Sequence, residues 1–311
     1  MGSMNCACEA EPDKTVTVEY IGQPKLSKSP RKSNVNQLQI PNSKFLNLIP
    51  SQEVNSLVLS VWNSLEPFSY PEEFIGEIIQ WTSFVLEEGT YIGEFREITP
   101  HGRGFQVYHD GSLLEGIWEK GKIDGKARII YANGDVFQGY FIDNQISGFG
   151  ILLSQSGSKY EGNWKNSKQN GQGKEIWPDG SEFIGEYKNG LKTGKGTFKW
   201  PDNSNYTGEF VRNSIHGFGV YNWSDGRKYT GSWSDNKMNG YGKFEWSDGK
   251  IYEGEFCMDA KYGTGKLTWP DGKVYEGGWI NNKRHGIGTI ISEGCKRKGE
   301  WIEGVRMKWV E

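Results

Sequence analysis

The chain has 311 residues, 43 of them glycine and 43 aromatic, and a net charge of −3. So balanced a charge gives no global field for nucleic acid. Four cysteines are too few for a disulfide scaffold, and no run reaches the ~18 apolar residues that a membrane-spanning helix needs. Glycine stands at about twice its usual share, but with only 11 prolines the chain is neither collagen nor a Pro/Gly linker.

Residues 1–50 are mostly polar and are expected to be a disordered tail. Their start, Met-Gly-Ser-Met-Asn-Cys-Ala-Cys, makes Gly2 a candidate for N-myristoylation after loss of Met1, with Cys6 and Cys8 placed for palmitate. One acyl chain gives marginal membrane binding and two give stable anchoring. Between Lys14 and Lys44 six basic residues face one acidic one, Glu19, which adds attraction to anionic lipid. The alternative is that Met1-Gly2-Ser3 is a cloning remnant ahead of a natural start at Met4. The absence of an apolar N-terminal stretch and the few cysteines point to the cytoplasm.

Residues 51–90 are expected to hold a helix and a lead-in strand that cap the segment from residue 91 onward. Ser51 is the expected N-cap with Glu53 in the first turn, and Val54, Leu57, Val58, Val61 and Leu65 form a stripe at i, i+3, i+4 and i+7. That stripe either packs on the first strands and blunts an open sheet edge, or binds a partner. Phe84–Thr90 fits half a hairpin, turning at Glu88-Gly89.

From residue 91 to 311 the sequence repeats. Units of 23 residues begin at Tyr91, Leu114, Phe137, Tyr160, Phe183, Tyr206, Tyr229, Tyr252 and Tyr275, without a break in phase. The third and twelfth positions are Gly in all nine units, and the fourteenth is Gly in eight, Ala127 being the exception. Positions one, three and five read aromatic, Gly, aromatic with polar residues between, the period of a half-buried strand. About six polar residues follow, read as a loop; a second strand of the same parity covers positions 14, 16 and 18. Pro-Asp-Gly or Ser-Asp-Gly then turns the chain. Each unit is therefore a β-hairpin, and the strand glycines leave room for rings to lie over bare backbone. The ninth unit is one residue short, and a tenth begins around Gly299-Glu300-Trp301.

Y-x-G-x-W followed by G-x-G and D-G at a 23-residue step resembles the MORN repeat. Departures are Leu114 for the opening aromatic, Asn203 and Cys295 for the turn Gly, and Ser154 and Ser292 for the late aromatic. With Leu65-Glu66-Pro67-Phe68 ahead of the array, the chain also resembles small MORN-repeat proteins of ciliates. The expected fold is all-β, an elongated single-layer twisted antiparallel meander with a short N-terminal helix. With two strands per unit at ~4.8 Å, nine units give roughly 85–90 Å.

No enzyme, cofactor or metal site is expected. His101, His216 and His285 share the permissive eleventh position of their units, and no Cys-x-x-Cys or His-x-x-x-His spacing exists. The Gly-x-Gly motifs lie mid-strand without a following helix, so they cannot cradle a phosphate. Two surfaces are candidates. Trp200, Trp223, Trp246 and Trp269 recur on an aromatic face that would leave rings partly exposed to seat a helix or peptide. Lys122, Lys168, Lys192, Lys237, Lys261 and Lys283, at the ninth or tenth position, are either solvated loop ends or a rail for anionic phospholipid or an acidic partner.

The family resemblance implies a non-enzymatic scaffold that tethers partner proteins at a cytoplasmic membrane face through acylation or phospholipid contact. Its alternatives are a structural part of a cilium or microtubule assembly and an accessory subunit of a lipid kinase or methyltransferase. A homodimer through the array is also open, and nucleic acid is not expected.

Overall fold

The computed structural model describes residues 54–70 and 82–310. They divide into two compact units, with the boundary in the chain between Leu191 and Lys192. The first holds α1 (Ser56–Ser64) and β1 (Thr82–Leu86), β2 (Gly89–Arg96), β3 (Thr99–Tyr108), β4 (Leu113–Glu119), β5 (Lys122–Ile130), β6 (Val136–Ile142), β7 (Gln145–Leu153), β8 (Lys159–Lys165), β9 (Lys168–Ile176) and β10 (Glu182–Lys188). The second holds β11 (Leu191–Lys199) from Lys192 onward, then β12 (Asn205–Val211), β13 (Ser214–Asn222), β14 (Lys228–Ser234), β15 (Lys237–Glu245) and β16 (Ile251–Cys257). It continues through β17 (Ala260–Thr268), β18 (Val274–Ile280), β19 (Lys283–Ser292), β20 (Cys295–Ile302) and β21 (Val305–Trp309). In each unit consecutive strands pair antiparallel, a meander with two strands per 23-residue step.

The register brings glycine opposite glycine. In the second unit Gly196, Gly208, Gly219, Gly231, Gly242, Gly254, Gly265, Gly277, Gly288 and Gly299 face one another strand after strand. The first aromatic of each repeat lies over one such pair. A Cβ added to Gly208 or Gly219 would stand 2.3 Å from the Tyr206 hydroxyl oxygen. Tyr206, Tyr229, Tyr252 and Tyr275 are consequently buried although no second sheet layer covers them. Each packs edge-on against the fifth-position ring of its own repeat and of the next, as Tyr229 does on Trp233 at 5.1 Å and on Phe256 at 5.2 Å.

The polar stretch within each repeat is not a loop. It is a two-residue turn followed directly by strand. In all repeats but the first both turn residues have positive φ, as at Arg212-Asn213, Asp235-Asn236 and Asn281-Asn282, the mirror-image turn that matches strand twist; at Glu97-Ile98 only Glu97 does. The strand then bulges past the twelfth-position Gly, which has positive φ in every repeat, for example Gly217 at 61° and Gly240 at 92°.

The bulge leaves backbone groups to be satisfied, and two devices serve them. The tyrosine hydroxyl donates to the carbonyl three residues on, Tyr206 to Glu209 at 3.1 Å and Tyr229 to Ser232 at 3.0 Å. The second turn residue clips the tenth position of the preceding repeat. Asn236 donates its backbone N–H to the Ile215 carbonyl (3.0 Å) and accepts the Ile215 N–H on its side-chain oxygen (2.8 Å). Asn213 does the same to Lys192, Asp259 to Met238 and Asn282 to Lys261.

Between repeats the Asp-Gly turn forms as the sequence implies. The Asp202 carboxylate accepts the Ser204 N–H at 2.9 Å, and Asn203 takes the positive φ, 68°, that Gly holds elsewhere. The last junction, Glu293-Gly294, is a two-residue turn, which explains the missing residue of the ninth unit. β20 and β21 supply the tenth half-repeat, with Trp301 buried against Tyr275 at 5.1 Å.

Helix α1 is shorter than the sequence suggested. Asn55, not Ser51, is the N-cap, its side chain accepting the Leu57 N–H at 2.9 Å; Ser51 lies outside the described residues. The helix covers a face rather than an edge. Val54, Val58 and Trp62, spaced by four, pack on Ile92, Phe105, Val107, Leu113, Ile130 and Val136, whereas Leu57 is exposed. Those sheet residues lie on the side opposite the tyrosines. Two ion pairs are buried in the first unit, Arg103 with Glu94 and Arg128 with Glu115; the second adjoins α1, where Trp62 Nε1 donates to Glu115 (3.3 Å), and Arg128 donates to the Glu66 carbonyl (2.8 Å). Burial pushes the Glu115 carboxyl up, against the pull of Arg128.

Asn236→Ala should destabilise the second unit by about 2 kcal/mol, since it loses the clip to Ile215 and puts alanine in the left-handed region. Asn236→Gly keeps the backbone conformation and should cost about 1 kcal/mol. Urea unfolding followed by tryptophan fluorescence measures both; no loss in Asn236→Gly would show that the side-chain bond of the clip contributes nothing.

Candidate functional site

The repeat sorts its side chains by parity. Positions one, five, ten, sixteen and eighteen share the face on which the tyrosines lie. The Tyr and Trp residues at positions one and five are almost fully enclosed there, so the expectation of partly exposed rings fails for them. What remains accessible is the sixteenth and eighteenth positions, at the end of each second strand. In the second unit Phe198, Trp200, Tyr221, Trp223, Phe244 and Trp246 form one tilted stack, with centroid separations of 4.6, 5.0, 4.4, 5.3 and 4.5 Å. All but Phe244 are half-buried. Trp223, Trp246 and Trp269 each open an Asp-Gly turn and Trp200 the Asp202-Asn203 turn, where the Trp backbone N–H donates to the carbonyl four residues on at 2.8–2.9 Å. The backbone thus fixes each indole at the rim.

Cations accompany these indoles. The Arg227 guanidinium lies 5.2 Å from the Trp223 ring, Lys250 Nζ 5.1 Å from Trp246, and Lys273 Nζ 5.6 Å from Trp269. Lys261 Nζ is 4.9 Å from Trp246, 5.5 Å from Tyr252 and 5.7 Å from Trp279, and burial, with Lys250 nearby, holds its ammonium below the usual lysine range. The aromatic stack was visible in sequence as the four tryptophans. Arg227, Lys250 and Lys273 were not singled out, although their shared place after the Asp-Gly was the available signal.

The six sequence-selected lysines do not share one setting. Lys122, Lys168, Lys237 and Lys283 sit at the ninth position beside the turns; Lys122 pairs with Asp143 at 2.9 Å and Lys283 with Glu303 at 3.4 Å. Lys192 and Lys261 hold the tenth position, on the aromatic face, because the strand resumes directly after the turn. Gly2, Cys6 and Cys8 lie outside the described residues. Among the described residues no three His, Cys, Asp or Glu side chains gather as a metal site would require, and no helix is long and apolar enough to cross a membrane. A cavity of about 310 Å³ on the face of the first unit opposite the tyrosines is lined by Leu65, Val136, Tyr140, Phe149, Ile151 and Leu153.

The tyrosine hydroxyls carry a pH signature. Burial pushes Tyr206 and Tyr275 up to about 12, and Tyr91, Tyr160, Tyr229 and Tyr252 further still. The folded state therefore holds these protons more tightly than the unfolded one, so stability is intact below pH ~10 and is lost as pH rises toward 12. The melting temperature should be flat from pH 7 to about 9.5 and fall steeply above 10. Tyr206→Phe, which imitates Phe137 and Phe183 at the same register, should make the fall shallower.

The sequence model described as MORN repeat matches residues 91–113, 115–136, 137–159, 160–182, 183–205, 206–226, 229–251, 252–274 and 275–293. Among curated proteins no relative matches. Among solved structures, the TCP10 domain of Danio rerio CPAP in complex with a peptide of STIL is similar at 12% identity, covering 75% of this chain and 99% of that one, with a TM-score of 0.42. The Drosophila melanogaster SAS-4 TCP domain with a proline-rich motif of Ana2 is similar at 11% identity, 58% and 96% coverage, and a TM-score of 0.31.

Proposed function

This chain belongs to the MORN-repeat family, and from that premise we propose that it is a scaffold holding a protein partner against the aromatic face of its second unit. The observation that carries this reading is the rim stack from Phe198 to Trp246. The tyrosines and fifth-position rings bury one another, yet this row stays half-buried with backbone-fixed geometry. A contiguous row of rigid aromatic side chains is what partner-binding surfaces use as anchors, since area is gained at small entropic cost.

A second element of the reading places the scaffold at a membrane. It rests on the sequence of Gly2, Cys6 and Cys8, where two acyl chains would give stable anchoring, and on the basic stretch between Lys14 and Lys44. The ninth-position lysines would then supply phospholipid contact.

A photo-crosslinking side chain placed at Trp223 should capture a partner in the native cell, and the same group at Lys266, on the opposite face, should not. Equal capture from both would remove the aromatic face as the docking site. Capture of a second copy would make the partner the chain itself. Cell fractionation tests the tether: Gly2→Ala with Cys6→Ser and Cys8→Ser should release the protein from membranes. Retention with axonemes instead would favour the ciliary alternative.

A further inference from the structure

The second unit sorts its charges as well as its rings. Glu209, Glu253, Glu255 and Glu276 fall on second or fourth positions, on the polar face, where Lys266 and Lys243 meet Glu276 and Glu245 in ion pairs at 3.2 and 2.9 Å. From Lys192 to Ser292 the aromatic-face positions carry no Asp or Glu. They carry Lys192, Lys261 and Arg284, all at the tenth position. Registers of β20 and β21 add Arg297 opposite Ile290 and Arg306 opposite Trp301.

Each of the latter four cations rests on rings. Lys261 faces Trp246, Tyr252 and Trp279; Arg284 is 5.6 Å from Tyr275 and 5.9 Å from Trp301; Arg297 and Arg306 lie 5.2 and 4.3 Å from Trp309. The turn carboxylates Asp225, Asp248 and Asp271 each accept the backbone N–H two residues on, at 2.9–3.1 Å, and Asp259, two residues before Lys261, accepts the Met238 N–H at 2.8 Å. They are used by the turns. Lys261 and Arg284, set on rings and half-buried, are poorly solvated, so an incoming carboxylate gains more from them than from surface lysines.

We propose that the aromatic face of the second unit selects an acidic, extended peptide segment of its partner, whose carboxylates meet Lys261 and Arg284 while its other side chains lie on the neighbouring rings. Successive tenth positions are two strands apart, ~9.6 Å at the usual spacing, which an extended chain spans in about three residues. Acidic residues every third position would therefore fall in step with the cations. The inference rests on the reading of the aromatic face as the docking face and adds the partner's chemistry to it.

The test uses the full chain and a fluorescein-labelled twelve-residue probe of four Glu-Ser-Ser repeats, read by anisotropy at about 50 mM salt. Lys261→Gln with Arg284→Gln should weaken binding at least tenfold. Lys243→Gln with Lys266→Gln removes the same charge from the polar face and should change binding less than twofold. Lys261→Arg with Arg284→Lys should retain it, and equal melting temperatures certify the fold. Vesicles containing 20% phosphatidylserine serve as the lipid arm. Equal weakening by the two glutamine pairs overturns the proposal, as does failure to bind the probe. Vesicle binding that depends on Lys261 and Arg284 without peptide binding also overturns it, and assigns the cations to lipid headgroups. If the probe fails while crosslinking from Trp223 still captures a partner, the docking face stands and only its acidic preference falls.

Discussion

The first ring of each repeat lies on a stretch of backbone stripped of side chains. Gly208 and Gly219 face one another across β12 and β13, and the Tyr206 ring occupies the space that two Cβ atoms would need. A sheet without a second layer has no other way to remove large aromatic surface from water. The hydrophobic contribution of each repeat, about 25 cal/mol per Å² of apolar area, depends on that vacancy. So does the hydroxyl's route to the Glu209 carbonyl at the bulge.

One repeat shows the constraint from the other side. The second begins with Leu114 instead of an aromatic ring, and it alone has alanine, Ala127, at the fourteenth position. Where no ring extends over the strand, a methyl group fits; the Gly116 site opposite is closed by Ala127 and Ile123, not by Leu114. Once each repeat buries its rings within one face, the other face is free to vary. In the first unit it is apolar and accepts α1, whose Trp62 bonds the buried Glu115–Arg128 pair. In the second it is polar, and its carboxylates and ammonium groups pair on the surface, where each pair contributes little. The rim row of Trp200, Trp223 and Trp246 lies beyond the glycine ladder and stays accessible, so the binding face begins where the self-burial ends.

Much of the fold was legible because glycine at fixed phase is a backbone signal. Gly at positions three and fourteen marks facing strands, and Asp-Gly marks the turn by a carboxylate–N–H bond that reads directly from residue type. The turn inside the repeat was not legible. Arg212-Asn213 and Met258-Asp259 share no motif, and their positive φ is sustained by the clip to the preceding repeat, a long-range bond that no local pattern announces. Misreading that stretch as a loop placed Lys192 and Lys261 on an edge with the ninth-position lysines, whereas strand parity puts them on the aromatic face. Trp62 was passed over because the stripe from Val54 was followed to Val61 at i+7 and not to i+8, although a spacing of four from Val54 and Val58 contains it. The four rim tryptophans were found because recurrence at one phase is visible without coordinates; the cations beside them depend on which ring each side chain reaches.

The claim that ring and glycine occupy one shared space is tested most directly by a double-mutant cycle between Tyr206→Leu and Gly219→Ala, with the unfolding free energy measured in urea. Gly219→Ala alone should cost about 3 kcal/mol, since its methyl group collides with the phenol. In the Tyr206→Leu background, which recreates the Leu114/Ala127 pairing, the same change should cost at least 1 kcal/mol less. Additivity within about 0.5 kcal/mol would mean that the two sites are energetically independent, and would contradict the account.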